Sequence, residues 1–266
     1  MIGTTAPGKV NLCLFVGAPR ADGYHPLVSV FQSVSLADEL TLEVAGDRDE
    51  VVCPGVAGPN LAARAVVAYR EASGWDGPPV RITITKRVPV AAGMGGGSGD
   101  AAAALRLAAE AAGRPGDPLL ARIAPTLGAD VPFQLVGGRA LVTGIGERVE
   151  PLPAGPPPAL VVYPSAESLS TAAVYAEADR LGLGRDLAAA ERDVRAGALP
   201  NVNDLQDAAR SLCPSIDRAL DQLLTAGAVS ALVAGSGPTV FGSFDDPERA
   251  GAVAAVLPGA VAVAPL

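Results

Sequence analysis

Lysine is nearly absent from this chain. Its positive charge comes from eighteen arginines and only two lysines, Lys9 and Lys86. Where arginine serves most cationic needs, a retained lysine indicates a position that needs a compact ammonium with rotatable donors. Histidine is scarcer still, since His25 is the single one. The three residues are therefore candidate site residues, against the alternative that a biased composition leaves a few lysines by chance.

Other scarcities argue against whole classes of protein. The three cysteines are widely spaced and form no Cys-x-x-Cys pair, which speaks against a disulfide framework and a cysteine-histidine zinc site. No run reaches about 18 apolar residues, and the first eight residues lack the segments of a signal peptide, so we expect a cytoplasmic protein with no membrane partner. A net charge of -8 without a Lys/Arg cluster argues against nucleic acid as the partner.

A strand, a glycine loop and a helix follow one another in the first half of the chain. Residues 80–86 alternate apolar and polar side chains with β-branched residues, which predicts a half-buried strand. A glycine run follows, and then an Ala/Leu-rich stretch predicts a helix from about Asp100 to Ala112. Further predicted helices are 62–73, 118–127, 170–181, 185–195, 204–212, 215–226 and 247–256; further predicted strands are 139–143, 159–163, 229–234, 239–244 and 260–264.

The domain organisation follows from prolines and from the order of elements. Prolines at positions 151, 153, 156, 157 and 158 interrupt any regular pattern, so we predict a domain boundary there, with domains 1–152 and 153–266. The last predicted elements have the order β-β-α-β, typical of a sheet with helices on one face. The expected fold class is α+β.

The glycine loop before the helix predicts an anion-binding site. Backbone N–H groups and the positive end of a helix dipole attract phosphate, and glycine permits close approach. The loop lacks the Lys-Ser/Thr of a Walker loop, has Ser98 where the dinucleotide pattern needs its third glycine, and has no downstream histidine for a hydrolase triad. The alternative is a flexible connector with Asp100 as the helix N-cap. The loop residues are Pro89, Val90, Ala91, Ala92, Gly93, Met94, Gly95, Gly96, Gly97, Ser98 and Gly99.

Two segments place polar groups in apolar surroundings. Lys9 and Asn11 lie two residues apart on one face of an apolar strand, where a charge is rarely buried without a partner. Asp130 follows a predicted helix in an apolar stretch, and its alternative is a turn or cap residue. An aspartate and a lysine together suit phosphoryl transfer, because one takes the acceptor proton and the other neutralises developing charge. The Gly235-Ser236-Gly237 turn is explained as well by a hairpin.

Taken together, these segments resemble the GHMP kinase superfamily. The glycine loop and the Gly-Ser-Gly turn carry the superfamily resemblance. The segments 7–11, 20–25, 128–133 and 203–205 are similar to kinases of this superfamily that phosphorylate a cytidine diphosphate-linked alcohol. The resemblance implies a ribosomal-protein-S5-like N-terminal domain with the ATP loop and a ferredoxin-like C-terminal domain.

The resemblance also implies roles for single residues. Lys9 and Asp130 are the expected catalytic pair, with ATP and Mg²⁺ as cofactors. The loop from Pro89 to Gly99 would bind the ATP phosphates. Nucleoside contacts are expected from Asn60 and Lys86, and acceptor contacts from Asn11, Tyr24, His25 and Tyr175.

Some positions depart from the superfamily pattern, and two other functions stay open. Gly99 replaces a small or hydroxyl residue and removes one possible phosphate or metal contact, and Asp100 stands where many members have asparagine. One alternative is a GHMP kinase for another small alcohol, such as homoserine or mevalonate. The other is a nucleotide-binding sensor without catalysis, against which the intact Lys9 and Asp130 speak.

Overall fold

The computed structural model describes residues 1–56, 58–153 and 159–266. Its strands in these ranges are β1 (Ile2–Val16), β2 (Leu27–Val44), β3 (Glu50–Val52), β4 (Val80–Thr85), β5 (Arg139–Gly144), β6 (Arg148–Pro151), β7 (Ala159–Tyr163), β8 (Ser230–Val233), β9 (Val240–Phe244) and β10 (Val261–Val263). Its helices there are α1 (Leu61–Ser73), α2 (Gly96–Ala111), α3 (Leu119–Leu127), α4 (Val131–Val136), α5 (Thr171–Leu181), α6 (Leu187–Arg195), α7 (Gln206–Leu212), α8 (Ser215–Thr225) and α9 (Pro247–Val256).

The chain divides into two compact units by its contacts. The first unit comprises Met1–Gly8, Leu36–Val90 and Gly95–Gly137; the second comprises Lys9–Ser35, Ala91–Met94 and Gly138–Leu266. Strands β1 and β2 contribute residues to both units. The domain boundary predicted from the prolines falls partly on residues 154–158, outside the described residues, and stays a prediction.

The first unit contains helices α1 to α4 and part of a sheet. The second half of β2 pairs antiparallel with β4, and β4 pairs parallel with β3. Strand β4 buries Val80, Ile82 and Ile84 on one face, as its alternating sequence predicts. Helix α1 packs against α2 and α3, and α2 packs against α4. The alanines of α2 are small enough for neighbouring elements to pack closely around it, and the helix is buried over most of its length.

In the second unit, the first half of β2 pairs antiparallel with β5, and β5 pairs with β6. A four-stranded antiparallel sheet has the order β10-β7-β9-β8. Helices α8 and α9 pack on this sheet, and α5 packs against α7. The β8-β9-α9-β10 order confirms the predicted β-β-α-β ending.

The predicted helices and strands are all present, with ends that differ by a few residues. The largest difference is at α2, which begins at Gly96 instead of near Asp100. The sequence analysis did not predict β2, β3, β6 and α4. No helix in the described ranges is long and apolar enough to cross a membrane.

Candidate active site

The glycine loop leads directly into the first turn of α2. Gly95 occupies the N-cap position with a positive φ of 68°, and Gly96 and Gly97 are already helical. The first N–H groups of a helix have no partner inside the helix, so these glycines present backbone donors without side chains. Gly97 is exposed, and a Cβ on it would meet no described atom within 4 Å. The helix start therefore has the geometry of an anion cradle.

Asp100 does not cap this helix, so the N-cap alternative is wrong. It is the fifth residue of α2 and is only 4% exposed. Its Oδ2 accepts a hydrogen bond from Lys86 Nζ at 2.7 Å, and Lys86 Nζ also donates to Asp38 Oδ2 at 2.5 Å. Asp38 Oδ1 accepts the backbone N–H groups of Arg87 and Val88. Asp38, Lys86 and Asp100 thus fix the segment that leads into the glycine loop against the first turns of α2.

Burial and charge oppose each other in this cluster. Burial raises the pKa of Asp100 to about 6, against the lowering effect of the hydrogen bond and charge of Lys86. For Lys86, burial is the largest single effect and lowers the pKa, but the hydrogen bonds and charges of Asp100 and Asp38 together outweigh it and raise the pKa. Lys86 is therefore a firmly charged group between two carboxylates, and its predicted nucleoside contact stays a prediction.

Lys9 is buried in β1 of the second unit, at 4% exposure. Its Nζ donates to Asn11 Oδ1 at 2.9 Å and lies 4.4 Å from the ring centroid of Phe31. Asn11 Nδ2 donates to Ser29 Oγ at 2.9 Å, and Ser29 Oγ donates to the carbonyl of Cys13. A chain of hydrogen bonds therefore fixes Asn11, and Asn11 in turn orients the ammonium. The strand pattern predicted that Lys9 and Asn11 share one face, and their side-chain hydrogen bond confirms it.

The backbones of Gly93 and of the turn after Ala234 lie very close together in the second unit. A Cβ on Gly93 would lie 1.9 Å from the carbonyl oxygen of Ala234, so only glycine fits there. Asn203 fixes the same turn, because its Nδ2 donates to the carbonyls of Val233 and Gly235, both at 2.8 Å. A Cβ on Gly235 would lie 3.5 Å from Lys9 Nζ. The turn joins β8 to β9, as the hairpin interpretation predicts, and it also lies beside the lysine.

Asp130 precedes α4 in the first unit, with a helical backbone (φ −82°, ψ −14°) and a half-buried side chain. It occupies the N-cap position, but its side chain makes no capping hydrogen bond. Its carboxylate is therefore not used as a cap. The pairing of Asp130 with Lys9 in one catalytic centre stays a prediction.

Asn60 caps α1. Its Oδ1 accepts a hydrogen bond from Ala62 N at 2.8 Å, and its backbone is extended, as in an ordinary N-cap. This bond gives Asn60 a structural role at the start of the helix, and its nucleoside contact stays a prediction.

Three residues predicted to contact the acceptor, Tyr24, His25 and Tyr175, lie in the second unit. Tyr24 is 60% exposed, and its backbone N–H donates to Asp22 Oδ1 in the turn around Gly23. His25 is buried, its ring centroid lies 4.9 Å from that of Tyr175, and its Nε2 lies 2.7 Å from Asp179 Oδ1. The structure thus brings His25 and Tyr175 together. The acceptor contacts themselves stay predictions.

Sequence reasoning assigned no role to Asp38, Asp179, Ser29 or Asn203. The signal for Asp38 was available, since a carboxylate between Ala37 and a stretch of alternating apolar residues is unlikely to be buried without a partner. Asp179 lies four residues after Tyr175, the spacing that places two side chains on one face of a helix. Their partners, Lys86 and His25, are distant in sequence and are visible only in the structure.

Comparisons with known proteins identify the class of this fold. The family model "GHMP kinases N terminal domain" matches residues 60–138, and the model "GHMP kinases C terminal" matches residues 174–262. The first range contains the glycine loop and Asp130, and the second contains the Gly-Ser-Gly turn. The fold is that of the GHMP kinases, which use ATP.

Similar curated proteins indicate the family within this class. The 4-diphosphocytidyl-2-C-methyl-D-erythritol kinase of Streptomyces coelicolor is 46% identical, over 94% of this chain and 90% of that protein. The kinase of the same name from Anaeromyxobacter dehalogenans is 42% identical, over 96% of this chain and 83% of that protein. The chain therefore belongs to the family of 4-diphosphocytidyl-2-C-methyl-D-erythritol kinases.

Solved structures agree with this family. A crystal structure of a 4-(cytidine 5'-diphospho)-2C-methyl-D-erythritol kinase is 38% identical, with a TM-score of 0.83 over 99% of both chains. Mevalonate kinase of Methanococcus jannaschii is 13% identical with a TM-score of 0.73, over 100% of this chain and 98% of that one. At that identity the second likeness shows the fold alone.

Proposed function

We propose that this protein transfers the γ-phosphoryl group of ATP to the 2-hydroxyl of 4-diphosphocytidyl-2-C-methyl-D-erythritol, a step of the non-mevalonate route to isoprenoid precursors. The observation that carries the proposal is the buried Lys9, whose ammonium Asn11 orients within a chain of this family. An ammonium held in this way neutralises charge that develops on a transferring phosphoryl group. The proposed location is the cytoplasm.

In the proposed mechanism, Asp130 accepts the proton of the acceptor hydroxyl. Its position directly before α4, within the range that matches the GHMP kinase N-terminal domain, supports this role. Lys9 supplies the orienting cation, and Asn11 keeps the ammonium in place at 2.9 Å. Proton removal and charge neutralisation are the two tasks that phosphoryl transfer leaves to side chains.

The proposed nucleotide site is the loop from Pro89 to Gly99. Its support is the first turn of α2, which is open at Gly97 and whose leading N–H groups have no partner inside the helix. The Asp38–Lys86–Asp100 cluster fixes the approach to this turn, and Lys86 and Asn60 are the proposed nucleoside neighbours. Tyr24 and Tyr175 would hold the cytosine, in keeping with the exposure of Tyr24 and the contact of Tyr175 with His25.

Mg²⁺ fits this site as a partner of the nucleotide. Within the part of the chain that the structure describes, no group of three or more His, Cys, Asp or Glu side chains is arranged to hold a metal. Mg²⁺ usually binds through one or two carboxylates together with substrate phosphates. The nucleotide phosphates would supply most of the ligands of the ion, since Asp100 Oδ2 is bonded to Lys86 and its Oδ1 is buried. The ion would neutralise phosphate charge during transfer.

A coupled assay for ADP release tests the proposal. The purified protein is given ATP, Mg²⁺ and one of three alcohols: the cytidylyl substrate, its uridylyl analogue or homoserine. We expect ADP release with the cytidylyl alcohol. Faster release with homoserine would favour a kinase for another small alcohol, and ATP binding without ADP release from any alcohol would favour a nucleotide-binding sensor.

A further inference from the structure

The single histidine of the chain is held by two residues of helix α5. His25 Nε2 lies 2.7 Å from Asp179 Oδ1, and the ring centroids of His25 and Tyr175 are 4.9 Å apart with their planes at 39°. Tyr175 and Asp179 are four residues apart, so they lie on one face of the helix and contact the ring together. The His25 side chain is only 7% exposed, whereas that of Asp179 is 44% exposed.

The partner on Nε2 decides which ring nitrogen carries the proton. An ionised carboxylate is only an acceptor, so the Nε2 that faces Asp179 must donate. In a neutral imidazole with its proton on Nε2, the other nitrogen, Nδ1, is an acceptor. Asp179 therefore selects the tautomer of His25, while Tyr175 packs against the ring that it orients.

We propose that Asp179 is a positioning residue that determines base specificity: it holds the Nε2 proton of His25, and Nδ1 then accepts a hydrogen bond from the exocyclic amino group of cytosine. This inference rests on the proposed function, in which His25 contacts the cytidylyl acceptor. Cytosine presents an amino donor at the position where a uracil-type base presents a carbonyl acceptor. An acceptor at Nδ1 of His25 thus favours cytosine. With uracil, the lone pair of Nδ1 would face the lone pairs of the carbonyl oxygen and repel them.

Asp179→Asn removes the acceptor-only group with almost no change in size. The amide NH₂ can donate to Nε2, which favours the tautomer with the imidazole proton on Nδ1 and turns Nδ1 into a donor. The ratio of kcat/KM for the cytidylyl substrate over its uridylyl analogue should then fall by about tenfold or more, the scale of one hydrogen bond. Asp179→Glu keeps a carboxylate and should keep the ratio, even if KM rises for both substrates.

Glu177→Gln is the matched control. Glu177 lies on the same helix, but its carboxylate binds Arg180 and Ser211 instead of His25. The change removes the same charge two residues away, so it should leave the ratio of kcat/KM unchanged. An equal loss of the ratio in both variants would mean that the charge of α5, and not the tautomer of His25, sets the preference, and it would overturn the proposal.

Nitrogen NMR of the imidazole gives a readout that does not depend on activity. Because His25 is the only histidine, ¹⁵N-histidine labelling of the untagged full chain reports its tautomer without assignment. We expect the neutral ring to carry its proton on Nε2 in the wild type and on Nδ1 in Asp179→Asn. A wild-type ring protonated on Nδ1 overturns the inference, as does a tautomer change that leaves the cytidylyl preference intact. Absence of ADP release from wild type with the cytidylyl substrate would instead refute the proposed function.

Discussion

Replacing Asp100 by asparagine should remove a pH dependence from the stability of this protein. Asp100 Oδ2 accepts a hydrogen bond from Lys86, while its Oδ1 is buried and has no hydrogen-bond partner within the described part of the chain. A buried carboxylate that is only half satisfied binds a proton more readily than one in water. Asparagine keeps a similar shape and carries no charge.

The size of the effect follows from the pKa of Asp100. Burial raises that pKa from its ordinary 3.8 to about 6, against the lowering effect of Lys86. At about 1.4 kcal/mol for each pH unit, this difference corresponds to roughly 3 kcal/mol as an upper bound. Between about pH 4 and pH 6 the folded chain binds more protons than the unfolded chain, so its stability decreases as the pH rises through this window. Well above pH 6 Asp100 is ionised, and the free energy of unfolding is lowered by the full cost of burying its charge.

Urea denaturation at pH values from 4.5 to 7.5 measures this effect as a difference between wild type and Asp100→Asn. The free energy of unfolding of wild type should fall relative to the variant by up to about 2 kcal/mol as the pH rises through this range, because part of the total of about 3 kcal/mol is already lost below pH 4.5. Asp76→Asn, at an exposed acid of the same unit, is the control and should show no such relative change. A wild-type stability that stays constant or rises relative to Asp100→Asn would refute the reasoning, because it would mean that Lys86 outweighs burial.

Three further predictions concern the proposed catalytic residues and the loop. Asp130→Asn cannot accept a proton, so kcat should fall on the order of 10²-fold or more while calorimetry still detects ATP binding; near-normal turnover would remove Asp130 from the mechanism. Lys9→Arg should lose on the order of 10²-fold in kcat, because a planar guanidinium cannot take the place of an ammonium held 2.9 Å from Asn11; wild-type steady-state kinetics would contradict this. Gly97→Ala adds a methyl group that meets no described atom within 4 Å, so the fold should survive while ATP affinity falls. Gly251→Ala is the control, because it is equally open in α9 and should leave ATP affinity unchanged. Equal ATP affinity in the two variants would mean that the loop is only a connector.

Local sequence patterns were sufficient for most elements. Strand β4 alternates apolar and polar residues, and its buried residues Val80, Ile82 and Ile84 are the apolar ones of that pattern. Helix α1 ends at Gly74 in the left-handed conformation, and α9 begins with Pro247 directly after the capping Asp246, both standard signals. Such elements depend on side chains that are neighbours in the sequence.

Strand β2 shows where this reasoning stopped. It runs from Leu27 to Val44, and its first eight residues are all buried. Because both faces of this half are covered, its sequence does not alternate between apolar and polar side chains. Polar residues interrupt it, and they are tolerated because distant groups bind them. Gln32 donates to the carbonyl of Leu266, and Asp38 binds Lys86. A single-sequence pattern treats such polar residues as surface residues, because their partners lie far away in the chain.

The sequence by itself determined the family, the glycine loop, and Lys9, Asp130 and His25 as candidate residues. It could do so because glycine spacing and rare residue types are local properties of a chain. Only the tertiary structure decided that Asp100 lies inside α2 against Lys86, that Asn203 holds the turn beside Lys9, and that Asp179 faces His25. The physical reason is the same in each case, because the state of a buried polar group depends on its hydrogen-bond partner, and folding brings that partner from 14 to 154 residues away.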